Sequence, residues 1–147
     1  MSDYKFLQLT SDQVSIYWPL IRKAIEESHP PVSTIHLDFF NAILQDILMD
    51  RKQVWMATKD DNEPVAVCVT SKTLDIEGGH IHLLIYALYT TAQASKDLWF
   101  YAMKILREYA KFIHADKIIA YTTVPEIVTL SEKLGFTTEW RYLEMEV

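Results

Sequence analysis

Glycine is scarce in this chain of 147 residues: only Gly78, Gly79 and Gly135 occur, with none between Tyr86 and Ala110. A backbone that folds closely round a phosphate needs glycine at fixed positions, so the glycine-rich phosphate loops are excluded. Neither a zincin pattern nor a nucleophile elbow is present. The single Cys68 rules out an internal disulfide and fits a reducing compartment. No apolar run approaches the length that crosses a bilayer, and the opening Met-Ser-Asp-Tyr-Lys lacks the basic and apolar regions of a signal peptide. Clustered Lys and Arg are also missing. With a formal net charge of −6, that argues against nucleic acid and anionic membranes as partners.

What is present describes an ordinary globular protein. Half the residues are hydrophobic and 23% are charged, and the length suits one domain over residues 1–147 with a core of its own. The expected setting is cytoplasmic.

Hydrophobic periodicity then divides the chain. Tyr4–Leu9 reads as a strand with Tyr4, Phe6 and Gln8 on one face. Thr10-Ser-Asp-Gln13 is a capping box, and Val14, Tyr17, Trp18, Ile21 and Ile25 follow at helical spacing, with Pro19 expected to kink or divide the helix. His29-Pro-Pro-Val-Ser33 is a loop. A second helix carries Leu37, Phe40, Ile43, Leu44, Ile47 and Leu48 as its buried stripe. Gln53–Thr58, Val65–Lys72 and His80–Tyr89 read as an antiparallel meander, joined by turn-forming residues. From Ser95 to Ile113 runs a long helix, with Leu98, Tyr101, Ala102, Ile105, Tyr109 and Phe112 in one stripe and Trp99, Met103, Leu106 and Ala110 in its neighbour. Lys117–Tyr121 is a further strand, Pro125–Phe136 a short helix broken at Gly135, and Trp140–Val147 an aromatic-rich strand apolar on both faces.

The order is β–α–α–β–β–β–α–β–α–β. Together with Leu134-Gly-Phe136 before the last strand, it resembles the GCN5-related N-acetyltransferase (GNAT) superfamily over nearly the whole chain. That resemblance implies an α/β (α+β) domain, a mixed sheet of about six to seven strands with helices on both faces. It further implies that the segment opening the long helix holds the pyrophosphate of acetyl-CoA on backbone amides, through the form Arg/Gln-x-x-Gly-x-Gly/Ala. Counted back from Ala110, these positions fall on Ala94-Ser-Lys-Asp-Leu-Trp99, with Asp97 and Trp99 where the glycines belong. Side chains there obstruct close approach. A carboxylate about 4 Å from a phosphate charge is repelled by roughly 4 kcal/mol at an effective dielectric near 20. Ser95 as helix cap and Asp97 as first-turn anion account for the same residues without a ligand.

The resemblance also implies a Tyr four residues before Gly135, where Ser131 stands, a poor acid able to act only through water. The expectation is thus a GNAT-like domain with a degenerate acetyl-CoA site and no cofactor, acting by protein interaction. It resembles the small GNAT-like proteins of tailed bacteriophages, some of them virion-associated. Two alternatives stand beside it. One is an active acyl-CoA-dependent N-acyltransferase, with Ser95, Lys96, Asp97 and Leu98 holding acetyl-CoA and His82 or Glu77 as base. The other is a homodimeric module pairing through Trp140–Val147. His80 and His82 could supply two metal ligands, yet no neighbouring set completes a site, so no metal is expected. Cys68 reads as an inert core thiol, and Tyr86, Tyr89, Tyr101, Tyr109 and Tyr121 as core and rim or as a pocket lining.

Overall fold

The computed structural model describes residues 4–28, 37–60, 63–74, 78–91, 95–122, 125–139, 143, 145 and 147. Five strands and four helices alternate along them: β1 (Tyr4–Gln8), α1 (Ser11–Ser28), α2 (Leu37–Leu48), β2 (Lys52–Lys59), β3 (Glu63–Leu74), β4 (Ile81–Thr90), α3 (Lys96–Phe112), β5 (Lys117–Ala120) and α4 (Pro125–Lys133). One sheet holds the strands in the order β1-β2-β3-β4-β5. The first four pair antiparallel, as the meander requires, and β5 joins β4 in parallel. Among the described residues the sheet therefore has five strands, fewer than the six to seven expected. Most of Trp140–Val147, the expected last strand, lies outside the described residues, as do Glu77, Ala94 and the loop His29–Ser33.

Two apolar layers cover the sheet. On one face Val14, Ile21 and Ile25 of α1 and Phe40, Ile43 and Ile47 of α2 pack on Val54, Met56, Val67, Val69 and Ala87. On the other, Leu98, Ala102 and Leu106 of α3 pack on Tyr4, Phe6, Trp55, Val65, Ala66 and Cys68. The capping box of α1 forms reciprocally: Gln13 N–H donates to Thr10 Oγ1 at 3.4 Å, and Thr10 N–H to Gln13 Oε1 at 2.9 Å. Pro19 does not divide α1, which runs unbroken for 18 residues. The proline points to solvent while the buried stripe continues on both sides of it, so packing holds the axis together.

Two expected stripes shift. In α3 the buried line is Leu98, Ala102, Leu106 and Ala110, whereas Tyr101 and Phe112 are exposed. The small Ala102 and Ala110 let the helix sit close to the sheet, turning the wide apolar arc towards the seam between its two stripes. Leu48 of α2 is likewise exposed.

Helix ends explain how so little glycine suffices. Three helices close with the paired bonds of a Schellman motif. In α2, Arg51 N–H donates to Asp46 O and Asp50 N–H to Ile47 O; in α3, Ala115 donates to Ala110 O and His114 to Lys111 O; in α4, Phe136 donates to Ser131 O and Gly135 to Glu132 O. The left-handed residue is Asp50 (φ 61°), His114 (φ 61°) and Gly135 (φ 100°) respectively. Only the last is the residue that adopts this conformation freely. The Leu-Gly-Phe signature is thus a helix stop.

Candidate functional site

β4 and β5 are unequal partners. β4 has 10 residues and β5 has 4. They pair only from His82–Lys117 to Ile85–Ala120. Beyond that point β4 continues to Thr90 with β3 as its one strand partner among the described residues. The strands part at a β-bulge: Thr70 of β3 faces Ile85 and Val69 faces Ala87, which leaves Tyr86 as the extra residue. The bulge shifts the side-chain alternation by one. Tyr86 and Ala87 both pack on the α1/α2 layer, while Ile85 and Leu88 belong to the α3 layer. The opening this leaves lies at the carboxyl ends of two parallel strands, each running on towards a helix N-terminus, α3 after β4 and α4 after β5. In open α/β sheets that is where ligands bind.

Past the β5 pairing, the edge of β4 meets a side chain from α1. Ser28, at the last turn of α1, accepts a hydrogen bond from Leu88 N–H at 2.8 Å. Its hydroxyl also lies 3.0 Å from Leu88 O and 2.7 Å from Ala24 O, and donates to one or the other. The Leu88 N–H is thereby engaged where a neighbouring strand or a ligand would pair, and its carbonyl shares the one hydroxyl proton with Ala24 O.

On the α1/α2 face of β4 stand two tyrosines, Tyr86 and Tyr89. Lys23 lies 5.2 Å from the Tyr89 ring centroid, and its pKa is raised first by a hydrogen bond to Tyr89 and then by the charges of Tyr89 and Glu27. Tyr86 is half-buried with Lys52 at 5.0 Å from its ring; burial, and then the Asp46 carboxylate, push its phenol upwards. It stays protonated at neutral pH. Tyr109, by contrast, packs edge-on against Trp55 within the α3 layer, and Tyr101 and Tyr121 are exposed.

The start of α3 is a plain helix start. Ser95 is the N-cap in extended backbone (φ −111°, ψ 167°), and its side chain makes no capping hydrogen bond. Lys96 and Asp97 are exposed in the first turn, Leu98 is buried in the core, and its N–H donates to Ser95 O at 3.1 Å. Trp99 lies within the helix. At this helix start the Leu98 amide is engaged by Ser95 O, and the Asp97 carboxylate is exposed in the first turn.

The other sequence candidates are scattered. His82 sits at the N-terminal end of β4, away from the opening, paired with Lys117, and its carbonyl accepts from Thr73 Oγ1. At about 3.3 Å per strand residue it lies roughly 20 Å from Leu88. His80 is exposed and its Nδ1 meets Asp116 Oδ2. Among the described residues no group of three His, Cys, Asp or Glu side chains could hold a metal ion. Ser131 is half-buried in α4, and its carbonyl accepts from Phe136 in the helix stop. Cys68 is buried, and burial pushes its thiol up to about 12. Ser28 carried no sequence signal, because a serine at a helix end is commonplace until the fold brings a strand edge against it.

No family model and no curated protein sequence matches the chain. Solved structures do. A predicted acetyltransferase from Clostridium acetobutylicum, solved with acetyl-CoA, is 17% identical, with 96% of each chain covered and a TM-score of 0.69. An aminoglycoside acetyltransferase from an uncultured soil metagenomic sample, in complex with sisomicin, is 11% identical over 99% of this chain and 95% of its own, with a TM-score of 0.74. A putative acetyl transferase from Pyrococcus furiosus is 16% identical over 98% and 99%, with a TM-score of 0.68. This chain has the fold of the GNAT acetyltransferases.

Proposed function

We propose that this protein uses the GNAT fold for binding rather than for acyl transfer, its acetyl-CoA cleft being closed. The single observation that carries this is the Ser28 hydroxyl seated against Leu88, accepting from its N–H at 2.8 Å and lying 3.0 Å from its carbonyl oxygen. The pantetheine arm of coenzyme A is a chain of amides, and the splayed edge of β4 is the natural place for amides to pair. Asp97 in the first turn of α3, and the lack of glycine near it, support the same conclusion at the pyrophosphate end. The resemblance to small bacteriophage proteins extends the proposal to a virion-associated role.

One finding favours a second reading, an acyl-CoA-dependent N-acyltransferase: a structural neighbour was solved with acetyl-CoA. Ser95–Leu98 would then face the cofactor, with His82 or Glu77 as base and Ser131 acting through water. Calorimetry and thermal melting with acetyl-CoA separate the two. A cofactor at a hundred times its dissociation constant stabilises the fold by about 2.7 kcal/mol. For a domain of this size that raises Tm by roughly 5–11 °C. We expect no heat and no shift at millimolar acetyl-CoA; a saturable shift of that size refutes the closed cleft.

A further inference from the structure

On a protein of net charge −6, the outer face of α3 is locally basic. Lys104, Arg107 and Lys111 line one groove of about 410 Å³, with Phe100, Met103 and Leu134 as its apolar wall. Glu108 is its one carboxylate, 3.8 Å from Lys111 in an exposed pair. Cations thus outnumber acids there three to one. The chain also contains the complement of this surface. Leu143, Met145 and Val147 alternate with Glu144 and Glu146, and the three apolar side chains are 86%, 89% and 127% exposed.

Leu143, Met145 and Val147 are left uncovered by the chain itself, although Leu134 lies close in sequence to the segment. Their dimensions agree. Five extended residues span about 17 Å, and the eleven steps of helix from Phe100 to Lys111 rise roughly 16 Å. An alternating segment presents its apolar residues to one side and its glutamates to the other, which matches an apolar wall rimmed by cations.

We propose that residues 143–147 of one copy lie in this groove of a second copy, with Leu143, Met145 and Val147 on Phe100, Met103 and Leu134, and the glutamates towards Lys104, Arg107 and Lys111. Exchanged reciprocally, the contact closes as a symmetric dimer. It is independent of the cleft between β4 and β5, so acetyl-CoA titration does not report on it.

Analytical ultracentrifugation over a concentration series tests this, with circular dichroism melts to verify that each variant folds. The full chain should sediment as a dimer, and a chain ending at Tyr142 as a monomer. Lys104→Glu, Arg107→Glu and Lys111→Glu together should weaken association at least about tenfold. Adding Glu144→Lys and Glu146→Lys to that variant should restore it. A monomeric full chain, a dimer that survives the truncation, or a charge-swapped variant that stays as weak as the groove-reversed one overturns the proposal. Should the groove variant fail to fold, the truncation alone decides.

Discussion

Thr70 anchors the sheet beside the bulge that opens the site, and replacing it by valine tests how. Its side chain is wholly buried; Trp55 Nε1–H donates to Thr70 Oγ1 at 3.0 Å, and Thr70 Oγ1 donates to Gln53 Oε1 at 2.9 Å. Gln53, 1% exposed, faces Thr70 directly across β2 and β3, and its Nε2 donates to Asp50 O at 2.9 Å. Valine keeps the shape and removes the hydroxyl. Two buried groups, the Trp55 indole N–H and the Gln53 carbonyl, then lose a partner at a site without water access. Each orphaned group costs about 1–3 kcal/mol, so Thr70→Val should destabilise by about 3 kcal/mol. At about 2–4 °C per kcal/mol, Tm falls by roughly 6–12 °C. Thr70→Ser keeps the hydroxyl and loses one methyl, a cost of about 1 kcal/mol. Urea titrations followed by tryptophan fluorescence give both values, and equal m-values would license their comparison. If Thr70→Val is no worse than Thr70→Ser, the hydroxyl is not the linchpin and this account of the sheet centre is wrong.

Further outcomes follow from the same structure. Gly135→Ala should cost about 1 kcal/mol through φ alone, since a Cβ there meets nothing within 4 Å, whereas His114→Gly should stabilise by up to about 1 kcal/mol by relieving φ 61°; chemical denaturation measures both, and a stabilised Gly135→Ala or a destabilised His114→Gly would undo the assignment of these helix stops. Cys68 should resist thiol reagents in the folded state. Because its folded pKa is raised from 9.0 to about 12, the buried thiol contributes stability that is complete below pH 9 and is lost as pH climbs towards 12; Cys68→Ala should flatten that alkaline decline, and an unchanged pH profile would rule the thiol out as its source.

Local chemistry was legible from residues that act on their neighbours. Thr10 and Gln13 announced a capping box, Gly135 a helix stop, and Cys68 a core position, because each depends on a few adjacent residues and on the apolar pattern. The meander, too, was readable, with strand ends displaced by one or two residues. The α3 stripe was less so: its apolar arc is wide enough that only the sheet beneath it selects Leu106 and Ala110 over Tyr101 and Phe112.

By itself, the order of residues determined which segments become helix and which become strand, and it placed an acid and an indole at the start of α3. These follow from short-range sterics and from periodicity, which need no distant partner. The meeting of Ser28 with Leu88, sixty positions apart, and the bulge at Tyr86 that frees an edge of β4, were decided only in three dimensions. Backbone groups left unpaired by a diverging strand must find partners wherever packing brings them, and here packing brought the end of α1.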